Sequence, residues 1–87
     1  MIAMSRKYKY SYTICKFFAP EWFSKQCAAL EKHIPKLRKD RLLEDVDSSA
    51  WQFYSSPQGE LVVKNDYQVD ALYIESDFDI EPYFKSA

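Results

Sequence analysis

The chain has 87 residues, with 12 Lys/Arg against 13 Asp/Glu and a formal net charge of −1. That length holds one domain spanning residues 1–87, and 47% hydrophobic with 17% aromatic residues excludes a disordered chain. A single glycine, Gly59, rules out glycine-rich phosphate loops, and no apolar run reaches the roughly 18 residues of a membrane span.

Taken in chain order, residues from Lys7 alternate with period two. Tyr8, Tyr10, Tyr12 and Ile14 point one way, and Lys7, Lys9, Ser11, Thr13 and Cys15 the other, which predicts a strand ending near Pro20. Pro20 suits a first helical position and Glu21 the positive end of the helix dipole. Phe23, Cys27, Leu30 and Ile34 then form one apolar stripe, and Pro35 closes the helix. Residues 36–47 fit either a short second helix or a basic loop, because Leu42 and Val46 stand four apart but the stripe does not extend backwards.

The second half predicts a meander. Ala50–Ser55 is a strand, Ser56-Pro57-Gln58-Gly59 a turn, Leu61–Lys64 the return strand and Asn65-Asp66 the next turn. The last strand starts near Val69. Leu72, Ile74, Ser76, Phe78 and Ile80 alternate with Tyr73, Glu75, Asp77, Asp79 and Glu81. The expected fold is α+β: an antiparallel sheet of about four strands in β-α-β-β-β order, with helix packed on one face.

The near-zero net charge conceals an asymmetry. Residues 1–41 carry ten basic and three acidic side chains, and residues 42–87 carry two basic and ten acidic ones. On the last strand, Glu75, Asp77, Asp79 and Glu81 would form a carboxylate row about 20 Å long, with Tyr73 as an adjacent aromatic anchor. Such a row serves either as a solvated, aggregation-blocking edge or as a docking strip for a basic partner. A divalent-metal site at Asp77 and Asp79 is less favoured, since oxygen-rich sites draw their ligands from tight turns.

The basic half offers the alternative. Arg6, Lys7 and Lys9 interleave with tyrosines, and Lys36, Arg38, Lys39 and Arg41 form a dense run, the combination that binds single-stranded nucleic acid. The acidic half opposes that use by repelling phosphates. Cys15, Cys27 and His33 match no zinc spacing, and Cys27 on the apolar stripe behaves as a small hydrophobe. No metal or cofactor is expected. Trp22 and Trp51 read as core or core-edge residues, with an exposed Trp22 as a hot-spot candidate.

Two cysteines are too few for a secreted disulfide framework, and Arg6 and Lys7 follow a short apolar start, the reverse of a secretory signal. The expected location is the cytoplasm, away from membranes. In size and charge logic the chain resembles small immunity, antitoxin and phage-encoded inhibitor proteins. That resemblance implies a non-catalytic module binding a basic protein through Tyr73, Glu75, Asp77, Asp79 and Glu81. A nucleic-acid-binding module and a structural homodimer in which basic and acidic faces meet are the alternatives.

Overall fold

A computed structural model describes residues 8–83. The first strand, β1 (Tyr10–Cys15), leads into helix α1 (Pro20–His33). Four further strands follow: β2 (Arg38–Glu44), β3 (Ala50–Ser56), β4 (Gly59–Asp66) and β5 (Ala71–Ser76), with a 3-10 turn at Glu81–Tyr83. The sheet is antiparallel at every pairing, in the order β1-β5-β4-β3-β2. The fold is therefore α+β with five strands rather than four, and residues 38–44 form a strand where a helix or loop had been expected.

Helix α1 carries the chain from one sheet edge to the other, and it lies over the central strand β4. Its expected stripe is the one it buries. Cys27, Leu30 and Ile34 pack with Tyr54, Leu61, Val63, Leu72, Ile74, Phe78 and Ile80, and Phe23 closes one side. Tyr54 is buried, and its hydroxyl donates to Glu31 Oε2 at 2.6 Å, which ties sheet to helix. Residues directly opposite in a ladder share a face, so the register assigns Ala50, Gln52, Tyr54, Leu61, Val63, Asn65, Leu72 and Ile74 to the helix side. Trp51, Phe53, Val62, Lys64, Tyr73 and Glu75 take the other side, which no described element covers.

Strand β2 was hard to read because every residue in it is exposed. Helix α1 does not reach over this edge strand, so neither of its faces imposes alternation. It also carries a bulge. Lys39 pairs with Tyr54 and Leu42 with Gln52, so Asp40 and Arg41 together oppose Phe53. The ladder is broken there, and the buried Gln52 supplies the missing donors. Its Nε2 lies 3.0 Å from Asp40 O, 3.1 Å from Arg41 O and 3.1 Å from Phe53 O, so two amide protons are shared among three carbonyls.

The other edge is bulged too. Thr13 pairs with Tyr73 and Cys15 with Leu72, leaving Ile14 as the extra residue. Ile14 is consequently exposed and Cys15 packs on the core in its place, correcting the expectation that Ile14 follows Tyr10 and Tyr12. Both bulges interrupt the straight edges along which two copies of a sheet would pair. Lys7 lies outside the described residues. Cys15 and Cys27 are free thiols.

Candidate functional site

The acidic row does not form. Strand β5 ends at Ser76, because Ser76 is the last residue of that strand paired with both β1 and β4. Glu75 is thus the one member of the row inside the strand, and each of the four carboxylates has its own local surroundings. Glu75 lies on the uncovered face and pairs with Lys64 at 2.7 Å. Asp77 accepts from the Glu60 N–H at 2.9 Å. Asp79 accepts the Tyr12 hydroxyl at 2.6 Å and the Glu81 N–H at 3.0 Å, while Glu81 itself starts the 3-10 turn. Tyr73 does share the uncovered face with Glu75, but its ring lies 5.8 Å from Lys64 Nζ.

The basic residues are also dispersed. Arg6 and Lys7 lie outside the described residues. Lys9 precedes β1 at one edge of the sheet, whereas Lys36, Arg38, Lys39 and Arg41 follow the helix and run along β2 at the opposite edge. Lys39 pairs with Glu31 at 3.7 Å, and the Arg41 guanidinium lies 5.4 Å from the centre of the Phe53 ring. Among the described residues, Lys36 and Arg38 line one cleft with Ser55, Ser56 and Pro57, and Lys9, at the opposite edge, is not part of it.

The uncovered face is closed by its own side chains. Leu43, Trp51, Lys64, Tyr73 and Thr13 make one cross-strand row over all five strands. Lys64 sits between the two rings, 4.7 Å from Trp51 and held by Glu75. In the next row Val62, opposite Phe53 and Glu75, has no exposure at all. Aromatic rings whose faces already carry a cation are poor stacking platforms.

What remains is the end of the sheet where α1 begins. The eight exposed large hydrophobic side chains of the described residues are Ile14, Phe17, Trp22, Leu42, Leu43, Val46, Tyr67 and Val69, and all lie toward this end. They come from the end of β1, the β1–α1 connection, the first turn of α1, the end of β2, and the β2–β3 and β4–β5 turns. Val46 is fully exposed, Phe17 55% and Trp22 50%. Isolated exposed hydrophobics need no explanation, but a gathered set does. Trp22 is thus on the surface, with Lys25 Nζ 4.8 Å from its ring centre.

These segments are tied to one another. The Phe18 N–H donates to Asp70 Oδ1 at 2.8 Å, and the Ala19 N–H donates to the buried Asn65 Oδ1 at 3.0 Å. The Phe18 and Tyr67 rings meet edge to face at 5.4 Å, and the Tyr67 N–H donates to Ser49 Oγ at 2.9 Å. Loops that would otherwise move independently are presented as one surface.

Carboxylates surround it. Glu21, Glu44, Asp45, Asp47, Asp66 and Asp70 belong to these segments, and among the described residues none is in an ion pair. Several hold the turns themselves: Asp45 Oδ1 accepts from Val46 N, Asp47 Oδ1 from Ser49 N, and Asp66 Oδ1 from Gln68 N and Val69 N. The Ser49 N–H and hydroxyl hold the Asp47 carboxyl below the usual carboxylate range, so it is charged at neutral pH. The sequence does carry a signal for this end. Asp45-Val46-Asp47 and Asp66-Tyr67-Gln68-Val69-Asp70 place apolar residues between aspartates inside turns, where burial cannot account for them.

Among the described residues, no group of three or more His, Cys, Asp or Glu is arranged to hold a metal ion, and no helix is long and apolar enough to cross a membrane. No protein-family model matches this sequence, and no curated protein or solved structure matches it significantly.

Proposed function

We propose that the protein is a small non-catalytic protein-binding module of the inhibitor or immunity kind, which engages a basic protein partner through the loop end of its sheet. The observation that carries this reading is the coincidence, at one end of the sheet, of exposed apolar side chains with carboxylates that form no ion pair among the described residues. Apolar residues at the centre of a patch supply affinity and aromatic ones anchor it. Charges at its rim steer a partner of opposite sign and reject one of like sign. The same rim repels phosphates, which disfavours nucleic acid as the partner.

The test is capture of partners from the native host on the immobilised protein, at low and high salt, with Val46→Lys/Val69→Lys as the comparison. Both side chains are exposed, at 101% and 61%, so the fold is left intact. The expected result is a basic protein retained at low salt, released as salt rises, and lost on the double variant. Retention of the same partners by wild type and variant would overturn the reading.

A further inference from the structure

At the loop end a cleft of about 400 Å³ opens between the β2–β3 and β4–β5 turns. Leu43 and Trp51, a cross-strand pair on the uncovered face, provide its apolar lining. Glu44 at the end of β2 and Asp45 and Asp47 in the β2–β3 turn line it from one side, and Asp66 at the end of β4 from the other. Its lining is therefore an aromatic and an aliphatic surface with carboxylates from two directions, continuous with the exposed Val46 and Tyr67.

From this arrangement we infer that the cleft receives an arginine side chain of the basic partner. The inference rests on the protein-binding reading above and specifies what that partner presents. Lys64 Nζ already lies 4.7 Å from the centre of the Trp51 ring, so the incoming group packs beside that ring and against Leu43 rather than on an open ring face. Guanidinium, planar and weakly hydrated, does so at lower cost than ammonium. Its five donors fork, which lets it serve carboxylates on two sides at once, whereas lysine acts as a point charge. Asp45 and Asp66 each commit one oxygen to their own turn, and the other has no protein partner among the described residues. Those two oxygens are the acceptors assigned to the incoming guanidinium. Charge complementarity selects the sign of the occupant, and the apolar lining selects guanidinium over ammonium.

The experiment uses the whole isotope-labelled protein and three capped tripeptides, Gly-X-Gly, in which X is arginine, lysine or citrulline. Citrulline keeps the shape of arginine without its charge. Titration at low salt, followed by amide and indole N–H chemical shifts, is expected to move residues 44–49, residues 66–68 and the Trp51 indole with the arginine peptide. Lysine should bind several-fold more weakly, and citrulline should give no saturable shift. Asp45→Asn/Asp66→Asn preserves the turn acceptors and is expected to weaken arginine binding about five- to tenfold. Equal shifts from arginine and citrulline, shifts centred elsewhere, or an unchanged affinity in the double variant would each overturn the inference. The two readings fail separately. If the tripeptide result is negative while Val46→Lys/Val69→Lys still loses its partner, only the arginine assignment falls. If that double variant keeps its partner, the docking reading falls whatever the tripeptides do.

Discussion

The loop end depends on one buried hydrogen bond, and its removal has a calculable effect. Asn65 is 2% exposed and Ala19 6%, and the Asn65 carboxamide oxygen accepts the Ala19 N–H at 3.0 Å. Ala19 precedes α1 with no side-chain cap of its own, so this bond fixes where the helix starts relative to β4. In Asn65→Ala the Ala19 N–H loses its acceptor without gaining water, at a cost of about 1–3 kcal/mol. The vacated side-chain volume adds about 1 kcal/mol. The expected destabilisation is about 2–4 kcal/mol, or roughly 10–25 °C in melting temperature for a domain of this size.

The neighbouring tie provides an internal control. The Phe18 N–H donates to Asp70 at 2.8 Å, but this bond is exposed, so water replaces the carboxylate when it is removed. Asp70 also has φ 61°, a left-handed conformation that glycine adopts without strain. Asp70→Gly is therefore expected to cost less than about 1 kcal/mol. Urea denaturation of both variants, with m-values compared to wild type, measures the difference directly. If Asn65→Ala costs no more than Asp70→Gly, burial of the bond is not what holds the helix start in place, and the rigidity ascribed to the loop end loses its basis.

Three further outcomes follow from other sites. Gln52→Leu keeps the side chain's bulk but strips the donors from the Asp40, Arg41 and Phe53 carbonyls, so denaturation should show a loss of about 1–3 kcal/mol. Amide exchange across β2 should accelerate in the same variant. At Gly59, φ is +142° and an added Cβ would lie 2.7 Å from Asp77 Cβ; Gly59→Ala is expected to cost more than about 1 kcal/mol, read as a lowered urea midpoint. Alkali should unfold the protein in a defined window. Burial and the Asp79 hydrogen bond push the Tyr12 hydroxyl up from 10.0 to about 12, so the unfolded chain loses this proton first. The contribution of Tyr12 to stability is thus complete below pH 10 and disappears between pH 10 and about 12. Tyr12→Phe should flatten the stability profile over that interval; Tyr54, whose hydroxyl is raised by burial and by Glu31, keeps a residual slope.

Which parts of this fold could be read beforehand depended on which side chains were forced to choose a side. Helix α1 was legible because Phe23, Cys27, Leu30 and Ile34 sit on one face between two prolines, and burial acts on all four. Along the C-terminal segment, alternation correctly marked Leu72, Ile74, Ser76, Phe78 and Ile80 as buried. It also predicted a single strand for all five, whereas β5 stops at Ser76 and holds only Leu72, Ile74 and Ser76. Ser76 Oγ donates to Phe78 O and accepts from Phe78 N, turning the chain into a bend that keeps Phe78 and Ile80 inside without a ladder. The expected carboxylate row needed extended backbone as well as alternation, and only alternation was present.

Strand β2 and the loop end were hidden for the complementary reason. At an edge beyond the helix, and in turns, no face is forced inward, so hydrophobic residues there form no period and look like noise. Yet that same freedom makes them informative about function. Val46 packs on no core, and exposing a valine wholly to water gains the isolated molecule nothing. Flanked by Asp45 and Asp47, it is the kind of residue whose apolar area is put to use only when something else covers it. For this chain, the residues that burial leaves unexplained point to function more directly than the row of charges the strand pattern suggested.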